Sequence, residues 1–268
     1  MKFVKIISNS LMESFVFFRK YKKKVALLFL LELIFFVLII TSSLYFLNSI
    51  FNSFDYLRNF TADQALTESE EGLLELQNQL LFANEIVNDI YWNIGFLLIV
   101  LFILFSLFGS LSWLLSSGKK LEEFNLKYFL EFSGLVLFYF LILVLFYFVL
   151  EYLVLDFGLA NQGPRLTILS LFIASYFSVL SYSLYVLKRE KILNSIRESF
   201  VLGIKKIHVF ILMWIIIFLV FAIGSFILEF SGFLSLYIGI LLYMIIIVWG
   251  RVFILKTCGR QDSNLRRH

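Results

Sequence analysis

The chain is poor in the residues that most often carry chemistry. It has one cysteine, Cys258, two histidines, His208 and His268, and one proline, Pro164. A single cysteine permits no internal disulfide and no thiolate metal cage. Two histidines exclude most histidine-based zinc sites. No HExxH, Walker loop, GxGxxG or serine nucleophile elbow is present, so no catalytic, cofactor-binding or metal-ligating residue is expected and the chain does not read as an enzyme. Charge is scarce as well. Only 16% of residues are charged, against about 25% in soluble domains. The net charge of +4 gives no case for a nucleic-acid partner.

What fills the chain instead is apolar. Hydrophobic residues make up 61% of its 268 residues, with 34 phenylalanines. A helix needs roughly 20 apolar residues to cross the hydrocarbon core. Six windows meet this, at about 25–47, 92–115, 129–150, 166–187, 207–228 and 233–254. Their apolar runs are continuous, whereas barrel strands would alternate in pieces of about ten residues. The predicted fold is therefore all-α, a polytopic six-helix membrane domain over residues 25–256. The segment before it, 1–24, is basic without being continuously apolar, and no short apolar core leads to a small-residue cleavage site. The expectation is that no removable signal peptide is present and that the first span is its own insertion signal.

Lys and Arg set the expected orientation. All but two of the 23, Arg58 and Arg165, fall in the N-terminal segment, the second-to-third connection, the fourth-to-fifth connection, or the stretch from Arg251 onward. That places both termini in the cytoplasm of a multi-pass cell-membrane protein. The basic pieces are also patterned. Val4, Ile7, Leu11, Phe15 and Phe18 recur at three- and four-residue steps, as do Ile192, Ile196, Phe200 and Ile204. Each pattern predicts an amphipathic helix lying in the headgroup region before a spanning helix. A shorter candidate is Lys119–Lys127. Its place before the third span suggests three units, each a basic segment followed by a hairpin.

Two of these segments match in sequence. Ser10-Leu-Met-Glu-Ser-Phe-Val16 and Ser195-Ile-Arg-Glu-Ser-Phe-Val201 share Ser, Glu, Ser, Phe and Val at the same positions. Through Ser10–Lys24 and Ser195–Lys206, each leading into a hairpin, the layout resembles prokaryotic six-span proteins, including the membrane domain fused to some glycerophosphodiester phosphodiesterases. The resemblance implies a membrane module. The hydrolase part, with its histidines and metal-binding carboxylates, has no counterpart in this chain. Glu198 to Gly203 also fails to match the cytoplasmic Glu-Ala-Ala loop of binding-protein-dependent permeases.

Three further features stand out. The outer segment 48–91 is acidic, and Leu73, Leu76, Leu80, Ala83, Val87 and Ile90 form a 3-4 seam that predicts a helix running into the second span. That seam could pack on the Phe51–Phe60 arm, on a protein partner or on a second copy. Glu32 is the one ionisable residue well inside a span, roughly 12 Å past Lys24 at 1.5 Å per residue. Such a residue is either a protonated acid bonded to a neighbouring helix or a proton- or cation-linked site. Third, the composition changes abruptly at 257–268. Asp262-Ser-Asn264 is what GAT-TCG-AAC encodes, the complement of the T-loop of transfer-RNA genes, and the expectation is that this tail is read-through. Small residues at Ser170, Ala174 and Ser178, and at Ser106, Gly109 and Ser110, predict helix-packing seams.

The functional expectation is a non-enzymatic scaffold or accessory module. Its partners are membrane lipids, above all anionic headgroups. The contacts would come from Arg19, Lys20, Lys22, Lys23, Lys24, Lys188, Arg189, Lys191, Lys205 and Lys206. The alternative is a secondary transporter or permease-like subunit in which Glu32 is the coupled site.

Overall fold

The computed structural model describes residues 2–62, 70–156, 163–229 and 235–265. Among them there is no strand. The helices are α1 (Lys2–Lys20), α2 (Lys22–Ala62), α3 (Glu70–Ser116), α4 (Leu126–Asp156), α5 (Gly163–Lys188), α6 (Ile192–Lys205), α7 (Ile207–Glu229) and α8 (Ser235–Leu265). Six of them, α2 to α5 with α7 and α8, contain stretches long and apolar enough to cross a membrane. The chain is a multi-pass membrane protein of the all-α class. Pro164 sits in the first turn of α5, where its missing N–H leaves no helical bond unmade. The turn at 229–232 and most of the 156–165 link lie outside the described residues, as do the predicted helix start at Thr67 and the end of the tail.

Contacts divide the chain into two units. The first comprises Met1–Leu33 with Phe105–His268, the second Ile34–Leu104. In the first, α4 and α5 form one packed hairpin and α7 and α8 another, with α5 also against α8. Its core runs through Leu114, Phe132, Leu135, Leu180, Leu184, Phe210, Met213 and Phe253. The Phe132 ring packs on α3 at Gly109, 3.5 Å from where a Cβ would stand, which is ordinary van der Waals contact. Ser106 and Ser110 beside it are buried, as the small-residue pattern requires. On α5 the buried small residues are Ala174, Ser181 and Ser183, while Ser175 faces outward.

The second unit is made from the far parts of α2 and α3. These helices have 41 and 47 residues, about 61 and 70 Å at 1.5 Å per residue. Each is about twice what a hydrocarbon core of roughly 30 Å requires. The Phe51–Phe60 arm is helical, a continuation of the first span, and α3 runs unbroken into the second span as its apolar spacing predicts. The contact between them is Ile50 against Ile86 and Ile90. Val87, assigned to the seam from its spacing, is exposed. Ile90 of the seam is buried, and at the step before it Ile86 takes the place of Val87, because Ile86 and Ile90 are four residues apart and both reach Ile50. The side chains of Leu73, Leu76 and Leu80 are outside the description.

Candidate functional site

Glu32 does not stand alone. The Arg251 guanidinium of α8 grips it with both terminal nitrogens, Nη1 on Oε1 and Nη2 on Oε2 at 3.3 Å. Ser112 of α3 donates its hydroxyl to Oε1 at 2.7 Å. The Glu32 side chain is 5% exposed and that of Arg251 17%. Leu28, Leu115, Val248 and Val252, each one turn or less from a member of the triad, form an apolar cluster around it. Glu32 thus bonds two neighbouring helices, α3 and α8, and Arg251 is a partner that the sequence did not show. Arg251 belongs to an apolar stretch, Ile238–Gln261, and α8 continues to Leu265, so it is a half-buried counter-ion within a helix and not a charge at a helix end. A forked guanidinium on a carboxylate is the strongest pairing available to these side chains. The arrangement ties α2, α3 and α8 together and leaves Glu32 with its charge compensated.

The matched segments have matched surroundings. Ser10 and Ser14 of α1, and Ser195 and Ser199 of α6, are buried. Ser14 and Ser199 each bond the carbonyl three residues back, Leu11 at 2.6 Å and Ile196 at 2.7 Å. Glu13 is paired with Arg260 of α8, and Glu198 with Lys188 of α5. Phe15 lies against Trp249 of α8 at 6.1 Å, Phe200 against Phe177 of α5 at 4.3 Å. In both cases the helix breaks at a single residue, Tyr21 or Lys206, the same distance beyond the first matched serine, and a spanning helix follows at once. Each segment packs on the helix that ends a hairpin, α1 on α8 and α6 on α5.

The inward side of both helices combines the serine line with part of the apolar one: Ile7 and Ile196 are buried in the core, with Leu11, Phe18 and Ile192 packed against it. Val4 and Phe15 are 53% and 56% exposed, Phe200 and Ile204 37% and 65%. Hydrophobic patterning counts serine as polar and so left the serines off the inward face. Small side chains win the contact because they allow close backbone approach. At Gly203 a Cβ would stand 2.9 Å from the Phe177 ring, and Tyr176 donates to the Gly203 carbonyl at 2.9 Å. The third, shorter segment is not a helix of this kind. Past the end of α3 the chain turns at Gly118 with φ +85°, and only a 3-10 turn, Leu121–Glu123, precedes α4.

The ten predicted headgroup cations fall into two groups. Arg19, Lys20, Lys22, Lys23, Lys191 and Lys205 are exposed, while Lys24, Lys188, Arg189 and Lys206 are half-buried. Lys24 donates to the carbonyls of Gly118 and Lys119 at the end of α3. Lys188 holds Glu198. Arg189, with φ +58° just past α5, lies over the Tyr128 ring at 4.3 Å and 3.6 Å from Glu123. Lys119 donates to the Val186 carbonyl at 2.6 Å, and burial, with Arg189 nearby, lowers its pKa from the ordinary lysine value while Glu123 opposes the shift.

Hydroxyl contacts link α4, α5 and α6, and no motif in the sequence announces them. Tyr139 bonds Ser181 at 2.6 Å and Ser181 donates to Ser199 at 2.7 Å. Tyr185 donates to Glu131 at 2.6 Å. The beginning of the tail lies within α8, where Thr257, Cys258 and Gln261 are buried. Comparison with protein families, with curated proteins and with solved structures finds no match for this chain.

Proposed function

We propose that this chain is a non-enzymatic scaffold or accessory module of the cell membrane, with both termini cytoplasmic, that engages anionic lipid headgroups through α1 and α6. One observation carries the reading. Two helices of the same sequence pattern are fastened to the bundle by buried serines and an ion-paired glutamate, and both leave aromatic and aliphatic side chains exposed beside exposed cations. A helix held flat at a membrane boundary needs those two exposed chemistries together. Each cation near an anionic surface adds about 1 kcal/mol, so Arg19, Lys20, Lys22 and Lys23 act as a group. The Glu32–Arg251 pair supports the same reading over a proton-linked transporter, since its compensated carboxylate suits a helix clamp.

The test uses the full chain in lipid discs of mixed phosphatidylglycerol and phosphatidylcholine. Mass spectrometry then measures which lipids stay with the protein after extraction. Enrichment of phosphatidylglycerol, lost when Arg19, Lys20, Lys22 and Lys23 are changed to Gln, is the expected result. Equal retention of the two lipids by the native chain would end the proposal.

A further inference from the structure

A cleft of about 430 Å³ opens where α4 begins and α5 ends, within the roughly 300–1,000 Å³ of small-molecule sites. Its walls carry both signs of charge: the cations Lys127, Arg189 and Lys191, and the carboxylates Glu123, Glu131 and Glu190. We infer that it binds a headgroup bearing a phosphate and a primary ammonium together, as in an aminophospholipid, a site that rests on the headgroup-binding reading above but is separate from the exposed cations of α1.

The location fits a headgroup. Leu126 is the first residue of one membrane-crossing stretch and Lys188 the last of another, so the cleft sits at a membrane boundary. The charges are only partly spent on one another. Arg189 is committed to Glu123 and to the Tyr128 ring. Glu131 accepts from Tyr185 through one oxygen, Oε2. Lys127 and Lys191 are exposed, and their side chains have no bonded partner among the described residues. A ligand with phosphate alone would meet three carboxylates, and one with ammonium alone would meet three cations. A ligand with both, on a two-carbon linker, matches each sign with its opposite. Charge-assisted hydrogen bonds need N–H donors on the ligand, which a primary ammonium has and a quaternary one lacks. The one aromatic ring of the cleft, Tyr128, is already covered by Arg189, so no aromatic box is left for choline.

The experiment places the full chain in discs of equal phosphatidylethanolamine, phosphatidylcholine and phosphatidylglycerol and measures retained lipid by mass spectrometry. The variants are K127E with K191E, both changes at exposed positions, and separately Glu190→Gln. Native protein should enrich phosphatidylethanolamine over phosphatidylcholine, and either variant should cut that enrichment about tenfold, as expected for losing a charged hydrogen bond. Lys20, Lys22 and Lys23 changed to Gln should leave it unchanged while abolishing any preference for phosphatidylglycerol. Competition by soluble glycerophosphoethanolamine at similar concentration would assign the site to a free solute of the same chemistry, and its failure to compete would assign it to lipid. An absence of phosphatidylethanolamine enrichment, or enrichment that survives both cleft variants, would overturn the inference, even where the phosphatidylglycerol preference stands.

Discussion

Removing Arg251 would leave the Glu32 carboxylate buried without its counter-charge. Breaking one side of a buried pair costs about 3–5 kcal/mol, while replacing both partners with apolar groups is often neutral. Arg251→Met should therefore lower thermal stability sharply, and Glu32→Leu in the same chain should restore most of it. A double-mutant cycle followed by unfolding in detergent measures the coupling; additive effects would deny the pair. Lys119 makes a second residue-scale prediction. Its folded-state pKa is lowered, chiefly by burial, so the folded chain holds this proton less firmly than the unfolded one. The penalty is fully present below the folded value and is relieved as pH rises through it toward the unfolded 10.5. Stability should climb over that window, and Lys119→Met should flatten the slope in pH-dependent unfolding. The pair was half legible beforehand. Glu32 was visible as a charge in an apolar run, but its partner on α8 is brought near only by folding.

At the scale of elements, the serines of α1 and α6 decide how the two helices seat. Ser14→Leu or Ser199→Leu would force a larger side chain into a closed contact, an overpacking cost of about 1–3 kcal/mol. The helix should lift from its neighbour, so proteases should cleave the α1 variant before Tyr21 faster than the native chain. Unchanged cleavage would mean that the serine face is not what holds the helix. The existence of these helices was legible from three- and four-residue spacing. That the serines would join Ile7 and Ile196 on the inward face was not, because the pattern records hydrophobicity whereas close approach depends on size. The length of α2 shows a related gap. Asn48, Asn52 and Asp55 interrupt the apolar run without interrupting the helix, so the predicted span stops at 47 while the helix continues to Ala62. The shared Glu13 and Glu198 were visible as a match between two segments. Their cations, Arg260 and Lys188, sit at unmatched positions and emerged only from the contacts.

At the scale of the whole molecule, the bundle carries two copies of one device. A short helix, pinned by small residues and an ion pair, presents an apolar edge and cations before the chain turns into a span. The six-span class was legible from run length alone, since few other structures accommodate such continuous apolar stretches. The central claim is that α1 and α6 lie at the membrane–water boundary. It is tested most directly by depth measurement on the full chain in vesicles, with a fluorophore at Phe15→Cys or Phe200→Cys and Cys258→Ser as background. Quenching by lipids labelled near the headgroup, with weak quenching by a water-soluble agent, is the predicted result at both sites. Free access to the aqueous quencher at both sites, with none from lipid, would contradict the account.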